Sequence, residues 1–247
     1  MSKNNKKANP SKPTNIKDRL NSYNKELFDF LSKEIISFYY LEHRRLSMNQ
    51  MIKFKKVSND IDNIVTLMVT YKFLTEINNT TLFKNLNIDA IDNDPNTNGY
   101  DVTYPIDKPQ IIAEVKCNLP WEGDKYGSGQ IAGIVKDITG LIDKKLTSKI
   151  KDENVFNDAY KFFVVLEDDC GNTKKALTDL YNTIDRGKGS SNNLPDLRDL
   201  LTKKGKSIYD IMKDYNGKEP LRTDCIYVVY IKPDDNLISE LLDNKNN

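Results

Sequence analysis

The sequence predicts an α/β fold: a mixed central β-sheet flanked by helices, preceded by an amino-terminal helical region. Three observations carry that reading. Apolar runs at 111–119 (IIAEVKCNL), 160–167 (YKFFVVLE) and 225–232 (CIYVVYIK) have the length and the β-branched and aromatic content of buried strands. Before and between them, apolar residues recur at three- and four-residue steps, the helical period. The resulting order is helix, helix, strand, strand, helix, strand, helices, strand, helix, which a flanked mixed sheet satisfies economically.

Residues 1–15 hold four lysines, two prolines and no large apolar residue except Met1, the composition of a disordered basic tail. From 17 to 51, Leu20, Tyr23, Leu27, Leu31, Ile35 and Phe38 mark a helix. Ser58 is an N-cap candidate for a second helix carrying Ile61, Ile64, Val65, Met68, Val69, Tyr71 and Leu74. An Asn-rich segment, 78–98, ends it, with Asp94-Pro95 and Asn98-Gly99 as turn signals. A short strand at 100–104 turns through 107–110 into the strand at 111–119. A Gly-rich loop, 120–129, leads to a helix at 130–146 with Ile131, Ile134, Val135, Ile138, Leu141 and Ile142 as its apolar stripe. After the strand at 160–167 come helices at 173–183 and 195–214 around a Gly/Ser loop at 187–191, the strand at 225–232 and a short helix at 234–242. One domain over 16–247 is expected, with a helical part at 16–85 and a sheet-bearing core at 99–232.

Composition narrows function by exclusion. With 37 basic against 36 acidic residues and a net charge of +1, any nucleic-acid site must come from local clustering, not overall charge. Cys117, Cys170 and Cys225 lie far apart with no CxxC, which fits a reducing compartment and argues against a zinc cluster. No apolar run approaches the ~20 residues of a membrane span, and the basic start is followed by no apolar signal segment, so a cytoplasmic location without a membrane partner is expected. His43 is the single histidine, which excludes multi-histidine mechanisms. No G-x-x-x-x-G-K-[ST] occurs, so no nucleotide cofactor is expected.

The strand at 111–119 carries the chemistry. Its alternation puts Ile111, Ala113, Val115 and Cys117 on one face and Ile112, Glu114 and Lys116 on the other. A hairpin with the preceding strand brings Asp101 beside Glu114 and Lys116. Two carboxylates plus the Val115 carbonyl suit Mg²⁺, which takes few protein ligands and keeps several waters. A lysine there offsets the carboxylate charge and steadies charge developing on a phosphodiester. The alternative is a surface hairpin in which Lys116 pairs with Asp101.

Asp101, twelve intervening residues, then Glu114-Val115-Lys116 on an apolar strand resembles the PD-(D/E)xK nuclease superfamily, which includes most type II restriction endonucleases. The resemblance covers about 99–168; Tyr100 stands before the acid, where the family has proline. It implies a restriction-endonuclease-like core and a Mg²⁺-dependent endodeoxyribonuclease that cuts double-stranded DNA at a specific sequence. It implies catalytic Asp101, Glu114 and Lys116, with metal on Asp101, Glu114 and the Val115 carbonyl. Gln130 resembles a glutamine that some members place near substrate or the lysine. Members often add an acid from an amino-terminal helix, for which Glu34 and Glu76 are candidates. Trp121 is a candidate for base stacking, and Lys144, Lys145, Lys149, Lys151, Lys203, Lys204 and Lys206 for phosphate contacts. One site per chain and two strands to cut imply a homodimer. The alternatives are another nuclease of this fold, acting in phage defence, repair or on RNA, and a catalytically silent DNA-binding module.

Overall fold

The computed structural model describes residues 48–80, 99–105, 108–120, 124–143, 153–187, 194–217 and 220–232, with a few positions in 16–29 and 82–88. The basic tail, most of the first predicted helix, His43, Glu34, Trp121, the lysines at 144–151 and the helix at 234–242 lie outside the described residues.

The protein is α/β, with a mixed five-stranded sheet flanked by helices. In chain order the elements are α1 (Met48–Asn78), β1 (Val102–Tyr104), β2 (Ile111–Lys116), α2 (Ser128–Asp143), β3 (Tyr160–Leu166), α3 (Asn172–Asp185), α4 (Leu194–Lys203), α5 (Ile208–Ile211), β4 (Met212–Asp214) and β5 (Ile226–Ile231). The sheet order is β1-β2-β3-β5-β4. β1 runs antiparallel to β2; β2, β3, β5 and β4 are mutually parallel. The parallel strands are covered on both faces, which is why β3 and β5 read as continuous apolar runs rather than alternating ones.

Each face has its own core. Ile111, Ala113, Val115, Phe162, Val164, Tyr227 and Val229 pack under α1 with Leu67, Phe73, Leu74 and Ile77. Ile112, Phe163, Val165, Ile226 and Val228 pack under α2–α5 with Ile134, Ile138, Leu177 and Leu197. The face alternation expected for β2 is therefore observed, and Glu114 is 4% exposed on the α2 side.

Three elements depart from expectation. The helix predicted to start at Ser58 begins at Met48 and runs through it; serine costs a helix interior only a few tenths of a kcal/mol relative to average residues, too little to break it. The strand predicted at 100–104 begins at Val102, because the chain bends at Asp101. Tyr100 belongs to the α2-side core, its hydroxyl donating to Gly140 O at 3.0 Å, whereas Val102 and Tyr104 belong to the α1 side. The single helix predicted at 195–214 is α4, a tight turn, α5 and the short edge strand β4. Gly205, at φ +61°, ends α4: Lys206 N donates to Leu201 O and Gly205 N to Thr202 O, the paired bonds of a Schellman cap. Ser207 and Asp210 then form a capping box that starts α5.

A Cβ at position 205 would meet no atom within 4 Å, so Gly205→Ala isolates the left-handed backbone penalty. It should cost about 1–2 kcal/mol by urea denaturation. An unchanged midpoint would mean that the turn is not held in this conformation in solution.

A second buried carboxylate, Glu167 at 3% exposure, serves α3. That helix starts after Gly171, which has no capping side chain. Glu167 supplies the missing acceptors: Oε1 takes the Thr173 N–H at 2.9 Å and Oε2 takes Lys174 N–H at 3.0 Å.

Candidate active site

The site is built at the carboxyl end of β2. Val102 pairs with Ala113, so Asp101 and Glu114 are the next residues along the β1–β2 pair. The chain has already bent at Asp101, and the Asp101 carboxylate continues the ladder: Oδ2 accepts the Val115 N–H at 2.8 Å. Asp101 is thus tied directly to the Glu-Val-Lys segment, with the Val115 peptide between the two acids. Glu114 stands on the α2 face opposite Phe163 of β3.

Lys116 does not take Asp101 as its ion-pair partner. Its Nζ lies 2.6 Å from Oδ2 of Asp137, in the middle of α2. The lysine side chain is 26% exposed and the aspartate 11%, so the pair is largely shielded. Gly133, one helical turn before Asp137, makes the approach possible. A Cβ there would sit 3.6 Å from Lys116 Nζ and 3.8 Å from Cε, ordinary contact, but any longer side chain would occupy the lysine's path. Asp137 was missed in the sequence, although it left a signal. It falls three residues after Ile134 and four before Leu141, inside the apolar stripe of α2, where an acid needs a partner.

Gln130 lies at the start of α2 and is engaged with the loop that leaves the site. Oε1 accepts the Gly127 N–H at 2.9 Å, and Nε2 donates to Leu119 O at 2.9 Å. Those bonds pin both ends of the segment between β2 and α2.

Of the extra acids considered on the amino-terminal helices, Glu76 is exposed on α1, and its electrostatic neighbours are Lys72 and, at the β4 edge, Tyr215. The acid of α1 that interacts electrostatically with the end of β2 is Asp62, one turn before Thr66, and sequence reading gave no hint of it. Cys117, Thr66, Asp62, Asp101 and Lys116 share one neighbourhood. Burial pushes the Cys117 thiol up to about 11; a hydrogen bond with Thr66 opposes that, and Asp101 adds to it. At pH 7.5, maleimide should therefore label the exposed Cys170 far faster than Cys117, because the thiolate is the reactive form. Equal labelling rates, read by peptide mass spectrometry, would show that Cys117 is not held as described.

Among the described residues, no group of three or more His, Cys, Asp or Glu side chains is placed to hold a metal ion. The donors expected there, two carboxylates and a backbone carbonyl, are hard oxygens of the kind Mg²⁺ takes in small number. Comparison of the chain with protein-family models, curated proteins and solved structures found no match.

Proposed function

We propose that the protein is a Mg²⁺-dependent endonuclease that hydrolyses phosphodiester bonds of double-stranded DNA, most like a type II restriction endonuclease. The observation that carries the reading is the junction of Asp101 with the Glu114-Val115-Lys116 segment at the carboxyl end of β2. A strand-β2, helix-α2, parallel-strand-β3 order behind the motif supports a restriction-endonuclease-like core, although fold alone would not imply this chemistry. Asp101, Glu114 and the Val115 carbonyl would hold the ion, which when bound polarises the phosphodiester and makes its water a better nucleophile.

The chain's own residues supply orientation and charge. Asp101 accepts the Val115 N–H and so is itself held beside the Glu114–Lys116 segment. Glu114, buried beside the sheet, supplies a second fixed carboxylate. Lys116 supplies a cation for the phosphoryl oxygens, and Asp137 holds that cation in place before substrate arrives. The reading includes a homodimer, with one such site for each DNA strand.

A second reading rests on the same ion pair. Lys116 and Asp137 satisfy one another, so the sheet and helix are stable with or without catalysis, as in a DNA-binding module. Supercoiled plasmid, incubated with and without Mg²⁺, separates the two. The nuclease reading expects Mg²⁺-dependent cutting into discrete fragments that Glu114→Gln abolishes. DNA retention without cutting would favour the binding module, and cutting unaffected by Glu114→Gln would remove this site from the chemistry.

A further inference from the structure

Among the described residues, the Tyr181 hydroxyl of α3 is the buried side-chain polar group that has no hydrogen-bond partner. The residue is 6% exposed, and its ring packs edge-on to Tyr209 of α5 with 6.0 Å between centroids. Burial holds the phenol well above its ordinary range, so the hydroxyl keeps its proton and needs an acceptor. Leaving such a group unpaired costs more than an ordinary hydrogen bond contributes, so its surroundings must account for it.

The electrostatic neighbours of that hydroxyl are Tyr230 of β5, Asp214 of β4, Tyr126 of the loop entering α2, and Tyr209. Tyr209 is engaged elsewhere, its hydroxyl donating to Asn182 Oδ1 at 2.9 Å. Asp214 receives Lys174 Nζ on Oδ2 at 2.6 Å and the Tyr230 hydroxyl on Oδ1 at 3.4 Å. Glu167, the acid nearest Tyr126, takes the backbone N–H groups of Asp168, Thr173 and Lys174. The acceptors that remain are the phenol oxygens of Tyr126 and Tyr230. Tyr230 spends its proton on Asp214. Tyr126 shares a hydrogen bond with Thr173, whose own hydroxyl donates to Leu166 O at 2.9 Å, so Tyr126 is the donor of that pair. Each phenol oxygen therefore keeps lone pairs to offer, and neither is bonded directly to Tyr181. Tyr230 pairs with Val165, which pairs in turn with Lys116, so the cluster lies two strands from the candidate active site.

We propose that Tyr181 holds a buried water molecule in common with Tyr126 and Tyr230. The water accepts the Tyr181 O–H and donates its two hydrogens to the other two phenol oxygens. Those are the three hydrogen bonds typical of a buried water. Three protonated phenols offer no net charge, and the nearby carboxylates are already matched, which disfavours an ion in the same place. Bound there, the water joins α3, β5 and the loop entering α2. The site is separate from the proposed nuclease chemistry and does not depend on it.

A crystal structure of the full chain, at a resolution that shows ordered water, tests the site directly. One water is expected within about 2.5–3.0 Å of Tyr181 Oη and of the Tyr126 and Tyr230 hydroxyls. A direct protein partner for Tyr181 Oη, or no water beside it, would overturn the proposal. Urea denaturation gives an independent reading in solution. Tyr181→Phe should lower the midpoint, because the water loses its donor. A hydroxyl that is merely unpaired would leave the midpoint unchanged or raise it on removal, and either result counts against the site. Tyr181→Phe and Tyr230→Phe together should lower the midpoint by less than the sum of their separate shifts, since each disturbs the same water. Strict additivity of the two would also overturn the proposal.

Discussion

Lys116→Met is expected to slow DNA cleavage by about 10²–10³ while leaving DNA binding in place. The magnitude is that of removing one preorganised charged donor from a transition state. DNA binding should persist because most of its affinity comes from many phosphate contacts. The ion pair with Asp137 complicates the experiment, since methionine leaves that largely buried carboxylate without its lysine. Removing one partner of a buried pair can cost several kcal/mol; with the lysine 26% exposed, about 1–2 kcal/mol is the fitting expectation here. A second substitution separates the two effects. Lys116→Met with Asp137→Leu should recover stability in urea but not rate, whereas a purely structural lysine would let both recover together. Asp137→Asn, by contrast, leaves the cation present but loosely held, so kcat should fall more than KM rises. A Lys116→Met protein that folds, binds DNA and cuts at the wild-type rate would end the catalytic assignment.

The largest effect on stability is expected at Phe162. This residue of β3 is fully buried under α1, and its ring meets four others: Phe73 at 5.1 Å, Tyr215 at 5.9 Å, Tyr227 at 6.1 Å and Phe83 at 6.2 Å between centroids. Those rings come from α1, the segment after it, the end of β4 and β5, so one side chain joins most of that face. Phe162→Ala should cost about 3–5 kcal/mol in urea denaturation, the sum of lost transfer energy and a cavity the surrounding sheet cannot close. Phe162→Leu, which keeps most of the volume, should cost under about 2 kcal/mol. Equal costs for the two would show that the cavity is not what matters.

The strands and helices around β2 were legible because their patterns are local. Alternation in 111–116 and the stripe of 131–142 each state a face, and both faces are occupied as stated. What escaped was decided by tertiary geometry. β4 has only three residues, at a sheet edge, and directly follows the four-residue α5, while the helical pattern of α4 ran on past its end, where Gly205 reverses the chain. The bend at Asp101 could not be read from alternation, because Asp101 leaves the strand to bond the Val115 N–H with its side chain. The candidate site was read as residue types, Asp101 just before β1 with Glu114 and Lys116 on β2, and not as partners. The lysine's companion lies 21 residues on, in a helix, visible only as one acid within an apolar stripe. Gln130 was read for its chemistry, and the structure engages it in fixing the loop.

The claim on which the proposed chemistry stands is that Asp101 and Glu114 form one divalent-ion site. Mn²⁺ titration followed by electron paramagnetic resonance measures this without reference to cleavage, with Mn²⁺ standing in for Mg²⁺ as a hard cation that takes oxygen ligands. The account predicts saturable binding to the wild-type chain, weakened at least about tenfold by Glu114→Gln and by Asp101→Asn, with Glu76→Gln unchanged. Binding that survives both substitutions at full affinity, or that Glu76→Gln removes instead, would contradict it.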